Sequence, residues 1–117
     1  MSSRPASKAS QHVVALDYEI VQEQASALGR LGRALEAALA ALVEYDRDHR
    51  GDSARVEPTE QRARLVQDAG DALWCFMVQR EACGLRDPRP VLRDYRVPAE
   101  VQNRMGIFTG SRRAAST

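Results

Sequence analysis

From Leu16 to about His49 the apolar residues follow a helical period. Val21, Leu28, Leu35 and Leu42 repeat every seven positions, and Leu31, Ala38 and Tyr45 lie on the adjoining row. That spacing draws one apolar stripe along an α-helix. Good helix formers fill the remaining positions, including the alanine-dense ALEAALAALV, so the segment is favoured as a helix before any packing. Gly29 and Gly32 interrupt it, each costing about 1 kcal/mol relative to alanine in a helix interior. With Ala25 they fall nearly in line on the helix surface. Such a strip of small residues admits a close neighbour, and the alternative is a kink that splits the element. The unbroken apolar row favours one helix, bent at most.

Arg50 to Val56, which includes Gly51, Asp52 and Ser53, reads as a loop, and Pro58-Thr59-Glu60 reads as a helix start. The second helix then runs to about Cys83, where Gly84 is placed to take the left-handed conformation that ends helices. Its main row is Leu65, Val66, Ala69, Leu73, Phe76 and Met77. A second row holds Gly70, Trp74 and Val78, so the stretch ALWCFMVQ is apolar around most of its circumference. Beyond Gly84 the chain is punctuated by Pro88, Pro90 and Pro98, each of which disfavours helix before it and suits the first turn after it. The pattern predicts a short helix near 89–95, a turn at Arg96-Val97, and a second short helix from Pro98 to Met105 stopped by Gly106. No sustained alternation suggests a strand. The fold class is therefore all-α: an antiparallel hairpin of two long helices with two short C-terminal helices. Residues 1–11 and 109–117 are small, polar and aperiodic, which predicts flexible tails around a single domain, 12–108.

A second helix that is apolar on two rows needs cover on both. The first helix, about 50 Å long at 1.5 Å per residue, would also overhang a compact domain of this size. The pattern therefore points to a bundle completed as a homodimer, with Leu28, Leu31, Leu35, Leu42, Leu73, Trp74, Phe76 and Met77 as core and interface anchors. The competing arrangement is a monomer in which Leu92, Tyr95, Val101, Met105, Ile107 and Phe108 fold back over Trp74 and Val78.

Composition adds limits more than directions. At 117 residues the chain suits one domain with a core of its own, without help from metal or disulfide. The net charge of +1 favours neither a nucleic-acid binder nor an acidic solubiliser. Segment 16–50 carries seven acids against four arginines, whereas 85–106 carries five arginines against three acids, so the C-terminal third is the basic end. Cys75 and Cys83, without a secretory signal, suggest a reducing, cytoplasmic setting. The eight-residue uncharged run Ala72–Gln79 is far below the roughly 20 residues of a bilayer crossing.

Candidate chemistry is sparse. The two cysteines lie about 12 Å apart along one helix, too far for a bridge within the chain, and read as buried structural thiols. His12 and His49 have no helical i+4 ligand partner, so no metal or cofactor is expected. No GxSxG, GxxxxGK[ST], HExxH or GxGxxG appears, and Asp68 and Asp71 read as solvated surface, so no catalytic residue is assigned. Arg80, beside the apolar core, calls for a carboxylate or backbone carbonyls, with Asp87, Asp94 or an acid of a partner chain to supply one, or else forms an anion site with Arg86 and Arg93. The alternative class is a small nucleic-acid-binding regulator. In that reading the helix, turn and helix of 89–105 resemble a helix-turn-helix, Arg80, Arg86, Arg89, Arg93, Arg96 and Arg104 make contacts, Arg112 and Arg113 add charge, and Gln102 and Asn103 read base edges. A protein partner for this basic end is the other possibility.

The segments LDYEIVQEQASALGRLGRALEAAL, ALWCFMVQREACGLRD and LRDYRVPAEVQNRMG, which cover most of 16–106, resemble a family of small, uncharacterised bacterial helical proteins with a domain of unknown function. The resemblance implies a helical fold and carries over no catalytic residue or ligand.

Overall fold

The computed structural model describes residues 8–51 and 59–107. They form four helices: α1 (Lys8–Asp48), α2 (Glu60–Ala82), α3 (Arg89–Asp94) and α4 (Ala99–Gln102), with no strand among the described residues. The all-α hairpin of two long helices followed by two short ones is the architecture expected. Helix α1 starts well before Leu16, at Lys8. Tail residues 1–7 and 109–117, the loop residues 52–58 and the proposed lid residue Phe108 lie outside the described residues.

Helix α1 runs without a break through both glycines. At Gly32 a Cβ would stand 3.0 Å from the Tyr95 hydroxyl and 3.3 Å from the Phe76 ring. The missing side chain therefore seats an aromatic pair on α1 rather than another backbone. The two rings lie 5.5 Å apart at 60°, a tilted pairing that suits their quadrupoles.

Helix α2 is capped at both ends by local chemistry. Thr59 is the N-cap: its Oγ1 accepts the Arg62 backbone N–H at 3.0 Å and also meets the Tyr45 hydroxyl from α1. Glu60 sits in the first turn, where a carboxylate suits the positive end of the helix dipole. At the other end Gly84 has φ +87°, the Gly84 N–H donates to the Glu81 carbonyl at 3.0 Å, and the Leu85 N–H donates to the Arg80 carbonyl at 2.8 Å. These two bonds are the Schellman arrangement, which needs a left-handed residue just past the helix.

Two cross-contacts set the hairpin register. Arg62 binds Asp46 and Phe76 faces Gly32. Fourteen residues along α2 thus correspond to fourteen in the reverse direction along α1, so Ala82, the last residue of α2, comes level with Ser26. Helix α1 continues eighteen residues further, to Lys8, about 27 Å at 1.5 Å per residue. The radius of gyration, 20.6 Å, accordingly exceeds the roughly 13 Å of a compact domain of about 100 residues.

The core occupies the half where the helices overlap. Leu35, Leu42 and Tyr45 of α1 meet Val66, Ala69, Leu73 and Phe76 of α2, and Val91, Val97 and Val101 close the cluster from the C-terminal segment. Arg96, at φ +53°, makes the left-handed turn between α3 and α4. Helix α4 is shorter than the sequence suggests, ending at Gln102 rather than Met105. The chain beyond it continues in tight turns, with the Arg104 N–H donating to the Val101 carbonyl at 3.0 Å and the Met105 N–H to the Gln102 carbonyl at 3.1 Å. Tertiary contacts explain the shortening. The Arg104 backbone lies against Gly70, where a Cβ would come within 2.8 Å of the Arg104 Cβ and 3.0 Å of its carbonyl. The buried Gln67 side chain donates to the Ile107 carbonyl at 2.6 Å.

Two glycine substitutions separate packing from propensity. Gly70→Ala forces the Arg104 backbone away, and the overpacking, about 1–3 kcal/mol, outweighs the helix-propensity gain of about 1 kcal/mol. Gly29→Ala meets only the movable end of the Arg33 side chain at 3.3 Å and keeps most of that gain. Thermal melting should therefore move down for Gly70→Ala and up for Gly29→Ala.

Candidate functional site

Among the described residues no other element packs on the N-terminal part of α1. Every residue from Gln11 to Glu23 is exposed, and Val13, Val14, Leu16, Tyr18, Ile20 and Val21 retain between 45% and 66% of their surface. The seven-residue row expected to be apolar throughout thus divides: Leu35 and Leu42 are buried, Leu28 packs partly on the core, and Val21 stands in the open. Exposed apolar patches of several hundred Å² are uncommon on soluble proteins and mark interaction sites. Between His12 and Gly29 the only charged side chains are Asp17, Glu19 and Glu23, so the projecting segment is acidic as well as apolar.

A second uncovered region lies at the C-terminal end of α2. Trp74, Met77, Val78, Leu85, Pro88 and Met105 line a hollow of about 190 Å³, with Glu81 and Arg86 on its rim. Among the proposed anchors, Leu35, Leu42, Leu73 and Phe76 are buried and Leu28, Leu31 and Met77 pack partly on the core, but Trp74 is 39% exposed. The C-terminal segment meets Trp74 at Gly106, where a Cβ would sit 3.5 Å from the indole, and Met105 lines the same hollow, while Val78 stays 46% exposed. The lid arrangement is therefore incomplete within the described residues: Val101 is fully buried, yet Ile107 is itself 41% exposed.

The cysteines differ from expectation. Cys75 is exposed and Cys83 half-buried, because the packed face of α2 runs through Val66, Ala69, Leu73 and Phe76, and Cys75 points away from it. Among the described residues no group of histidine, cysteine or carboxylate side chains could hold a metal.

The arginines of the basic end form no common cradle. Arg80 donates to the Asp87 carbonyl at 2.7 Å, Arg89 binds the Asp87 carboxylate at 2.9 Å, and Arg93 pairs with its neighbour Asp94 at 3.0 Å. The Arg89 contact holds the exposed Asp87 carboxyl down to about 2. Arg86, Arg96 and Arg104 are exposed and have no carboxylate partner among the described residues. The helix-turn-helix outline is reduced to helices of six and four residues, and a single turn is too short to lie in a major groove as a recognition helix.

One polar constellation escaped the sequence reading. Arg62, in the first turns of α2, donates its Nε to Asp46 Oδ1 at 2.8 Å and its Nη2 to Asp46 Oδ2 at 3.0 Å. The same guanidinium donates to both Glu100 oxygens, at 2.9 and 2.7 Å. One side chain thereby joins α1, α2 and α4 in the bidentate geometry that arginine provides. Beside it His49 stacks on Tyr45, with ring centroids 3.9 Å apart. Asp46 sits opposite the start of α2 once the hairpin register is known, whereas nothing in the local sequence singles out Glu100.

A family model described as a family of unknown function (DUF6665) matches residues 4–113. The chain belongs to that family. No curated protein and no solved structure matches it. Among the described residues no helix is long and apolar enough to cross a membrane.

The Arg62 cluster carries a pH dependence of defined sign. Hydrogen bonds from Arg62 hold both the Asp46 and Glu100 carboxyls below their ordinary values of 3.8 and 4.5. Groups depressed on folding stabilise the protein above their unfolded values, and that stability is lost as pH falls through the folded values. Both carboxylates are about half exposed, so solvent screening limits the cluster to about 1 kcal/mol at pH 7. The melting temperature should hold above pH 5 and fall below pH 4.5. Arg62→Met should melt lower at pH 7 and lose less between pH 5 and pH 3, which acid melting curves of the two proteins check.

Proposed function

We propose that this protein is a non-enzymatic assembly module that works as a homodimer through its long helices. The observation that carries the reading is the length of α1, which extends about eighteen residues past the end of α2 with six large apolar side chains 45% or more exposed. A lone helix of that length is marginal in water, because nucleation is costly and most helical stability in proteins comes from packing an apolar face. A second copy supplies such packing by symmetry. The two unbridged cysteines fit a reducing, cytoplasmic setting.

Light scattering should give twice the 13.0 kDa chain mass, with dissociation on dilution. Val21→Glu, which places a charge on the exposed stripe, should shift the protein to monomer while the α2 core melts nearly unchanged. A species of single-chain mass at every concentration would remove the homodimer.

A further inference from the structure

We infer that the projecting segment of α1, around residues 13–21, seats in the hollow of a second copy of the chain, between its Trp74, Val78 and Leu85, so that two copies exchange their N-terminal helical segments. The inference rests on the homodimer reading and adds to it which surfaces meet.

The charge pattern selects this pairing over the simpler one in which two projecting segments lie side by side. Asp17, Glu19 and Glu23 are the only charged side chains between His12 and Gly29, so pairing the 13–21 segments with each other about Asp17 sets carboxylate against carboxylate. Asp17 is the decisive residue. It lies seven positions before Gln24 and eighteen before Leu35, spacings that place it at the centre of the α1 face that buries Leu35 further along. Val13 and Ile20 flank it on one side, Val14 and Val21 on the other. Whatever covers those valines also covers a carboxylate, and a covered carboxylate needs a cation. The hollow is lined by one cation and one carboxylate, Arg86 and Glu81; Arg86, exposed and without a carboxylate partner among the described residues, supplies the cation.

Dimensions agree with the charges. Because Ala82 lies level with Ser26, the projecting segment begins where the hollow ends. Two chains arranged antiparallel about an axis near residues 21–24 place each segment alongside the other's Val78 and Leu85. In a two-fold exchange each chain both gives and receives a segment, so the contact is made twice.

Trp74, the one tryptophan of the chain, reports on the site without any mutation. Its emission should move to shorter wavelength as light scattering shows the dimer forming. Asp17→Arg and Arg86→Asp should each weaken dimerisation about tenfold or more, and the double variant Asp17→Arg with Arg86→Asp should recover most of that loss, since the pair is restored with its charges exchanged. Both positions are exposed in the single chain, and circular dichroism confirms that each variant keeps its helices. If the wild type dimerises with unchanged Trp74 emission, or if the two reversals simply add, the exchange is overturned and the homodimer stands on another face. A wild type that remains monomeric at high micromolar concentration overturns both.

Discussion

Two antiparallel helices can bury only as much surface as the shorter one offers, and the arrangement of this protein follows from that mismatch. The register is pinned near one end by Arg62 on Asp46 and in the middle by Phe76 and Tyr95 seated on Gly32. With both fixed, α2 ends level with Ser26 and the rest of α1 projects from the core. Sliding the helices to shorten the projection would break the bidentate arginine and take the aromatic pair off Gly32.

The C-terminal segment behaves as a belt across the overlapping half. It is drawn in by Val91, Val97 and Val101, by the close approach of Arg104 to Gly70, by the Gln67 bond to the Ile107 carbonyl and by Glu100 on Arg62. Each attachment reaches the sides of α2 that α1 leaves open, but Val78 stays 46% exposed. The hollow and the projecting segment are thus two results of one geometry: the belt and α1 each cover one part of α2, and both leave its C-terminal end short of partners.

The repeating features of the fold were legible in the sequence. The seven-residue row of α1, the Thr59 start of α2, the Gly84 stop and the proline-bounded short helices all rest on local rules of spacing and backbone conformation, and the structure follows them. Features that depend on chain segments meeting were not legible. Cys75 reads as buried because it sits in an apolar run, yet the buried stripe of α2 passes on the other side. Trp74 reads as an anchor by size, but it stays 39% exposed even with Gly106 against its ring. The predicted helix to Met105 stops at Gln102 because a contact with Gly70, more than thirty residues away, outweighs local propensity. Arg62 and Glu100 carry no sequence signal at all, since their meeting depends on how α4 is placed.

The central claim is that the projecting part of α1 is a helix because something covers it, and that the cover is a second copy. Amide hydrogen exchange of residues 12–24, followed as a function of protein concentration, tests this most directly. The account predicts that these amides are protected nearly as well as those around Leu35 and Leu42 when the protein is concentrated, and that they exchange rapidly after dilution while the core stays protected. Rapid exchange at every concentration, or protection that dilution leaves unchanged, would contradict it.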